Sequence, residues 1–415
     1  MAGAGPAAAP VAATASATRS LVALFAATGV ELTSIFVFGP LLLIELKARG
    51  LGSTAAGAFA ALGWIGVLVA TPFASRLVRR LGTARALLVS GGVPVLTITG
   101  IQLSDSVPLW ALLNTISGMA GALRWVLSEA LVAKLAPPHR RGRLMGWFST
   151  MIGGTFMLGP ALLAAVLARG WTPHQAGWLA LGLAVLGLLL LAGVRAPELA
   201  AAPAATAGDT APKAGLGLAL RAAPVVMVTG LVGGFFEAGL SGALPLWGLA
   251  LGWTEAAAAL LVTVSGLGST LAAAPVGELA DRWPRERLRR IGVALCLGGA
   301  LLVPAVSAGG LGGGGTWAWL IWPIVALWGA AGAGLYTLAM TEIGHQYADG
   351  AAHDQAPGGG LVDATAVLVT AYTLGGVLAP AVAGLMLDLA PRWGLAAALA
   401  VVALVGFWRP SVARR

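Results

Sequence analysis

Charge is scarce in this chain. Asp, Glu, Lys and Arg make up 10% of its 415 residues, against 58% hydrophobic; a soluble domain carries about 25% charged residues. So few polar groups cannot cover a water-exposed surface of this size, which excludes an ordinary soluble globule and points to a bilayer as solvent. Cysteine is scarcer still. The single Cys296 lies in an apolar run, so no intrachain disulfide can form. The four histidines, His139, His174, His345 and His353, fall in or near predicted loops with no Cys/His cluster, so neither metal nor cofactor is expected. The Gly312 to Gly315 run lacks the following Lys-Ser/Thr of a phosphate loop, and no hydrolase constellation is present. An enzyme, or a pump driven directly by ATP, is therefore not expected.

Basic residues outnumber acidic ones, 25 to 16, for a formal net charge of +9. Their positions argue against nucleic acid as partner. Apolar runs predict twelve spans at about 20–46, 54–76, 84–104, 107–135, 143–168, 174–194, 222–248, 254–276, 291–308, 317–341, 362–387 and 393–410. The loops predicted outside hold only Lys47, Arg49, Arg169 and Arg392, and Arg124 falls inside a span. The other basic residues lie on the opposite side, which predicts both termini in the cytoplasm. One inner loop, 342–363, breaks the pattern with Glu342, Asp349, Asp354 and Asp363 and no Lys or Arg.

The domain plan follows: a disordered cytoplasmic tail over 1–19, a six-helix bundle over 20–194, an Ala/Pro/Gly-rich cytoplasmic linker over 195–221, a second six-helix bundle over 222–410, and a short tail over 411–415. The halves repeat one another. Gly277-Glu-Leu-Ala-Asp281-Arg282-Trp-Pro-Arg285 follows the second span of its half, and an altered copy, Ser75-Arg-Leu-Val-Arg79-Arg80-Leu-Gly82, does so about 200 residues earlier. Gly121 to Glu129 and Gly334 to Glu342 end the fourth and tenth spans at equal spacing. Thr155-x-x-x-Gly159-Pro160 is echoed by Gly375-x-x-x-Ala379-Pro380. Two parallel repeats are a transporter plan, with the site between them near the midplane.

These residues resemble the major facilitator superfamily (MFS). The second hairpin matches its Gly-x-x-x-Asp-Arg loop nearly in full. In the first, Ser75 replaces the glycine and Arg79 the acid. Within the family, Trp125-Val-Leu-Ser-Glu129, Arg141-Gly-Arg143, Gly329 to Tyr336 and Tyr372 to Pro380 are most similar to the YcaD-like branch. The resemblance implies an all-α membrane protein with twelve transmembrane helices in two six-helix bundles. It also implies an inner-gate network drawn from Gly277, Asp281, Arg282, Arg79, Arg80, Glu129 and Glu342. Glu129 is expected to meet Arg80, and Glu342 to meet Arg282. The alternative is ordinary interfacial charge.

Three charges, Glu31, Arg124 and Glu237, fall deep inside predicted spans. Each costs about 2.5–3.5 kcal/mol to insert, so each should face a cavity or a partner. Glu31 and Glu237 are the candidates for proton coupling and Arg124 the buried counter-charge, all three expected to share a central vestibule. A static Glu31–Arg124 pair is the alternative. Asn114, Trp125, Tyr336, Thr337 and Tyr372 are candidate cavity residues, or plain helix packing. The expectation is a monomeric, multi-pass inner-membrane secondary transporter of a small molecule. Proton-coupled efflux is favoured over uptake of a small metabolite. A sensing or assembly protein that keeps the fold, and a lipid translocator, are the other readings.

Overall fold

Segments apolar on every side, rather than along one stripe, form helices suited to a nonpolar surround, because a helix satisfies its own backbone. The computed structural model describes residues 9–197, 199, 224–308, 318–352 and 361–408, and among them every regular element is helical. The first half holds α1 (Ala9–Ala48), α2 (Ser53–Ala70) running on through a 3-10 turn into α3 (Ala74–Leu81), α4 (Thr83–Gln102), α5 (Val107–Leu135), α6 (Arg141–Leu167) and α7 (Pro173–Leu191). The second half holds α8 (Pro224–Phe236), α9 (Leu240–Ala250), α10 (Glu255–Arg282), α11 (Arg285–Ala308), α12 (Ile321–Ala352), α13 (Leu361–Leu389) and α14 (Gly394–Gly406).

Nine of the described helices are long and apolar enough to cross a bilayer, and the bent pair α8–α9 makes a tenth. The helix α11, which opens on charge, and the short apolar α14 complete a twelve-helix arrangement. Helix ends carry their own stop signals. Thr172 and Gln175 form a reciprocal capping box ahead of α7. Gly82 takes a positive φ of 77° between α3 and α4, a conformation that costs a side-chained residue more.

Three boundaries differ from the sequence expectation. Helix α1 begins at Ala9, inside the segment expected to be a tail, as its alanine content favours. The predicted seventh span is broken, with a 43° bend between α8 and α9. The second charged hairpin is almost wholly helical: α10 runs to Arg282 and α11 starts at Arg285, leaving Trp283 and Pro284 as the turn. Most of the linker, the glycine-rich loop 309–315 and the tail 411–415 lie outside the described residues. The start of the linker is tied down, with Arg195 N–H donating to the Ser20 hydroxyl at 3.2 Å and Leu199 N–H to the Thr83 hydroxyl at 2.9 Å.

Turns alternate between two ends of the molecule. One end, here the linker face, carries the start of the linker, the α3–α4 turn and the α10–α11 turn. The other, the far face, carries the turns after α1, α4, α6, α9 and α13. Helices of a half pack mainly on one another, while α2 packs on α13 and α6 on α10 across the halves.

Candidate functional site

The three intramembrane charges occupy two different places. Glu31 of α1 and Arg124 of α5 form a direct ion pair through Arg124 Nη2, at 2% and 3% exposure. Arg124 Nη1 also reaches the Ser90 hydroxyl at 3.4 Å. Gly187 of α7 lets α1 approach at the pair, since a methyl there would lie 3.1 Å from Glu31 Cβ, while Gly91 of α4 lies beside Arg124, where a methyl would make ordinary contact with Nη1 at 3.7 Å. The pair therefore sits inside the first half, walled by α4 and α7. Glu31 Oε1 and Arg124 Nε remain buried without a hydrogen-bond partner. An isolated charge at this depth would be costly, and the pairing offsets that cost.

Glu237 stands elsewhere. It lies at the break between α8 and α9, where Glu237 N–H still bonds to Gly233 O at 2.8 Å and Gly239 N–H reaches back to Gly234 O at 3.0 Å. Past the break, Pro245 has no N–H to offer Ser241 O, and the Ser241 hydroxyl turns to Ala238 O at 2.6 Å. Glycine also permits the close approach of span seven to α13. A methyl on Gly234 would fall 2.0 Å from Tyr372 O, and one on Gly239 2.0 Å from Ala379 Cβ.

The partners of Glu237 are neutral. Ser269 of α10 donates its hydroxyl to Oε1 at 2.8 Å, and Tyr372 of α13 donates to Oε2 at 3.3 Å. Tyr336 of α12 packs on Tyr372 with ring centroids 4.5 Å apart. Unlike Glu31, Glu237 is partly exposed. It lines a cavity of about 10 Å³ with Ser241, Ser265 and Ser269 of its own half and Phe156 of the other. The Glu237 carboxyl thus faces the seam between halves, and the expectation of one vestibule shared by all three charges is not met. The reason is helix rotation: the Glu31 side of α1 turns toward α7, within its own half.

The other candidates divide similarly. Asn114 spends its amide on Phe59 O at 3.0 Å, joining α5 to α2, and Thr337 bonds back to Ala333 O at 2.9 Å within its own helix. Trp125 is 39% exposed and donates to Glu129 at 2.7 Å, one turn further along α5. No ion pair among the described residues joins Glu129 to Arg80; Arg79 and Arg80 are exposed on the linker face. Glu342 meets Arg285 at 2.9 Å rather than Arg282. The helical register explains this change: Arg282 ends α10 in an exposed position, whereas Arg285 opens α11. A methyl on Gly277 would have no neighbour within 4 Å, and the side chain of Asp281 lies outside the described residues. Among the described residues, no group of three His, Cys, Asp or Glu is placed to hold a metal ion.

A sequence profile described as Major Facilitator Superfamily matches residues 24–358. The chain belongs to the Major Facilitator Superfamily. MFS-type transporters named as uncharacterized are among its relatives. YcaD of Salmonella paratyphi A is 25% identical over 374 residues, covering 89% of this chain and 90% of that protein. YfkF of Bacillus subtilis (strain 168) is 26% identical over 269 residues, covering 63% of this chain and 65% of YfkF. Solved MFS structures share the fold. A D-xylose-proton symporter superposes with a TM-score of 0.70 at 16% identity, covering 93% of this chain and 97% of its own. The nucleoside transporter NupG does so with 0.67 at 13%, covering 95% and 97%.

For an MFS transporter the features that sequence reasoning missed are informative. Ser265, Ser269 and Ser241 read as ordinary small residues of apolar helices, and nothing in their spacing places them at Glu237. The break in span seven had a signal, the run Gly233-Gly234 with Gly239, Gly242 and Pro245 around Glu237. Arg289 read as one more basic residue of the linker-face hairpin. It is 6% exposed, bonds to Glu286 at 2.9 Å and donates to Gly406 O, fastening α11 to the end of α14.

Proposed function

We propose that this MFS protein is a proton-coupled secondary transporter that exports a small amphipathic compound by alternating access. In this reading the linker face, which bears most of the basic residues, is cytoplasmic, so both termini lie inside the cell at the inner membrane. The far face then looks outward. The chain works as a monomer, since both walls of the seam come from one polypeptide.

The observation that carries the reading is Glu237. It is a partly exposed carboxyl at a helix break, facing the seam, with only hydroxyl partners. An acid held by a cation keeps its charge, whereas one held by hydroxyls can be neutralised without stranding a countercharge. Broken spans at midplane are where transporters of this general plan place substrate and coupling ions. The fold also houses a D-xylose-proton symporter, so it accommodates proton coupling in that protein. Phe156, Val262 and the serines offer apolar and hydroxyl contacts to a substrate. Such contacts suit compounds that enter a bilayer unaided, which favours export.

The test is flux in proteoliposomes, on a compound found by a growth screen over a broad panel. Glu237→Gln keeps the size and hydrogen-bonding capacity of the side chain. It should abolish transport driven by a pH gradient while leaving counterflow exchange of the compound. Gradient-driven accumulation at the wild-type rate in Glu237→Gln would sink the proposal. Inverted vesicles that fail to load the compound under an inward-acid gradient would sink export as the direction.

A further inference from the structure

A carboxylate on the far face crosses between the halves. Asp388 stands in the last turn of α13 and reaches the start of α2. It accepts the Ser53 N–H at 2.8 Å, the Thr54 N–H at 2.8 Å and the Thr54 hydroxyl at 2.7 Å. Lys47, at the end of α1, donates to the Ser53 hydroxyl at 3.2 Å and brings a positive charge to the same turn. The first N–H groups of a helix have no partner within it and carry partial positive charge, so an acid placed there is favoured.

The internal repeat makes this contact informative. Helix α10 occupies in the second half the place of α2 in the first, and it caps itself: Thr254 accepts the Ala257 N–H at 3.3 Å. Helix α2 follows Gly52, which has no side chain for the purpose. Its equivalent threonine, Thr54, instead donates to Asp388. The cap of α2 is thus supplied by the other half. Below it the helices touch backbone to backbone. A methyl on Gly57 would fall 2.1 Å from Pro380 O and one on Gly384 2.3 Å from Ser53 O, while one on Gly376 would meet the Trp64 ring at 3.0 Å. Opening the far face requires α2 and α13 to part, and that separation removes the cap.

We propose that Asp388 is the far-face latch, a gating residue whose hydrogen bonds to Ser53 and Thr54 set the balance between the state closed on that face and the state open on it. The inference rests on the alternating-access reading above, but not on proton coupling or on Glu237. Three hydrogen bonds to a charged but water-exposed acceptor bias such an equilibrium by on the order of tenfold.

The test uses the full chain in lipid nanodiscs, with Cys296 replaced by alanine and distances read between spin labels. One pair, at Ala55 and Arg392, spans the far face. A second, at Arg76 and Arg287, spans the linker face. Asp388→Ala should lengthen the first distance and shorten the second, enriching the far-face-open population about tenfold. Thr54→Val removes one of the three bonds and should shift both distances the same way by less. A variant that merely loosened would broaden both distributions without the opposed shifts, and that would overturn the latch. Two anticorrelated populations in the wild type, unchanged by Asp388→Ala, would also overturn the latch and leave alternating access standing. A single unchanging population in every variant would overturn both.

Discussion

The two halves treat a buried carboxylate in opposite ways. In the first half, Glu31 is nearly inaccessible and bound to Arg124, inside a wall formed by α4 and α7. In the second, Glu237 is partly exposed at a broken helix, bound by Ser269 and Tyr372. Both carboxylates stand on the first span of their half, and under the proposed function their different partners give them different roles. A carboxylate paired with a guanidinium cannot lose its charge without stranding a buried countercharge, which suits a strut. One facing hydroxyls can change its charge, which suits a carrier. Both stand near the middle of their spans, so position along the span does not distinguish them.

The comparison can be broken most forcefully at the strut. Arg124→Ala would leave Glu31 buried without its countercharge, and Glu31→Ala would do the same to Arg124. Each should cost about 3–5 kcal/mol and sharply reduce folded protein on detergent size-exclusion. The double change Glu31→Leu/Arg124→Met should recover much of that loss, because an apolar pair of similar volume replaces the ions. If the recovered double variant also retains gradient-driven flux, the pair is structural. If it folds but loses flux, Glu31 shares the coupling and the division between halves fails.

The carrier is expected to respond in function more than in fold. Tyr372→Phe and Ser269→Ala each remove one hydrogen bond to a carboxylate, worth about 1.5–3 kcal/mol when the acceptor is charged. Gradient-driven flux should fall roughly tenfold in each, while counterflow changes little and the melting temperature in detergent falls by a few degrees. An equal loss in both transport assays would assign these hydroxyls to the substrate instead.

The smallest effect is expected at the linker face. Arg285 and Glu342 are paired at 2.9 Å but remain about 30% exposed, at 29% and 32%. A pair so open to water contributes about 0–1 kcal/mol. Glu342→Gln should shift the melting temperature by no more than a few degrees. A large loss of stability would mean that this contact is a main fastening of α11 to α12 within the second half.

Much of the architecture was legible in the residues. Span α5 was expected at 107–135, where the helix lies, and the charge asymmetry of the loops follows the alternation of the two faces. Those features depend on local hydropathy and on residues close in sequence. The break in span seven was not expected: hydropathy reads 222–248 as one run, and the glycines and Pro245 around Glu237 were the only local signal of a bend. The Glu31–Arg124 contact, 93 residues apart in sequence, was left open beside its alternatives. The Glu129–Arg80 and Glu342–Arg282 contacts were expected and are replaced by Trp125, one turn back on the same helix, and by Arg285, which opens α11 where Arg282 ends α10 exposed.

What the sequence determined by itself is the solvent, the number of helices, the duplication and the identity of the three charges deep in the membrane. Each follows from composition or spacing along one dimension. Only the tertiary structure decided which charge has a countercharge, which faces the seam, and that Asp388 caps a helix from the other half. Rotation of a helix about its own axis leaves no trace in hydropathy when every side is apolar, so packing alone sets the direction in which a buried side chain points.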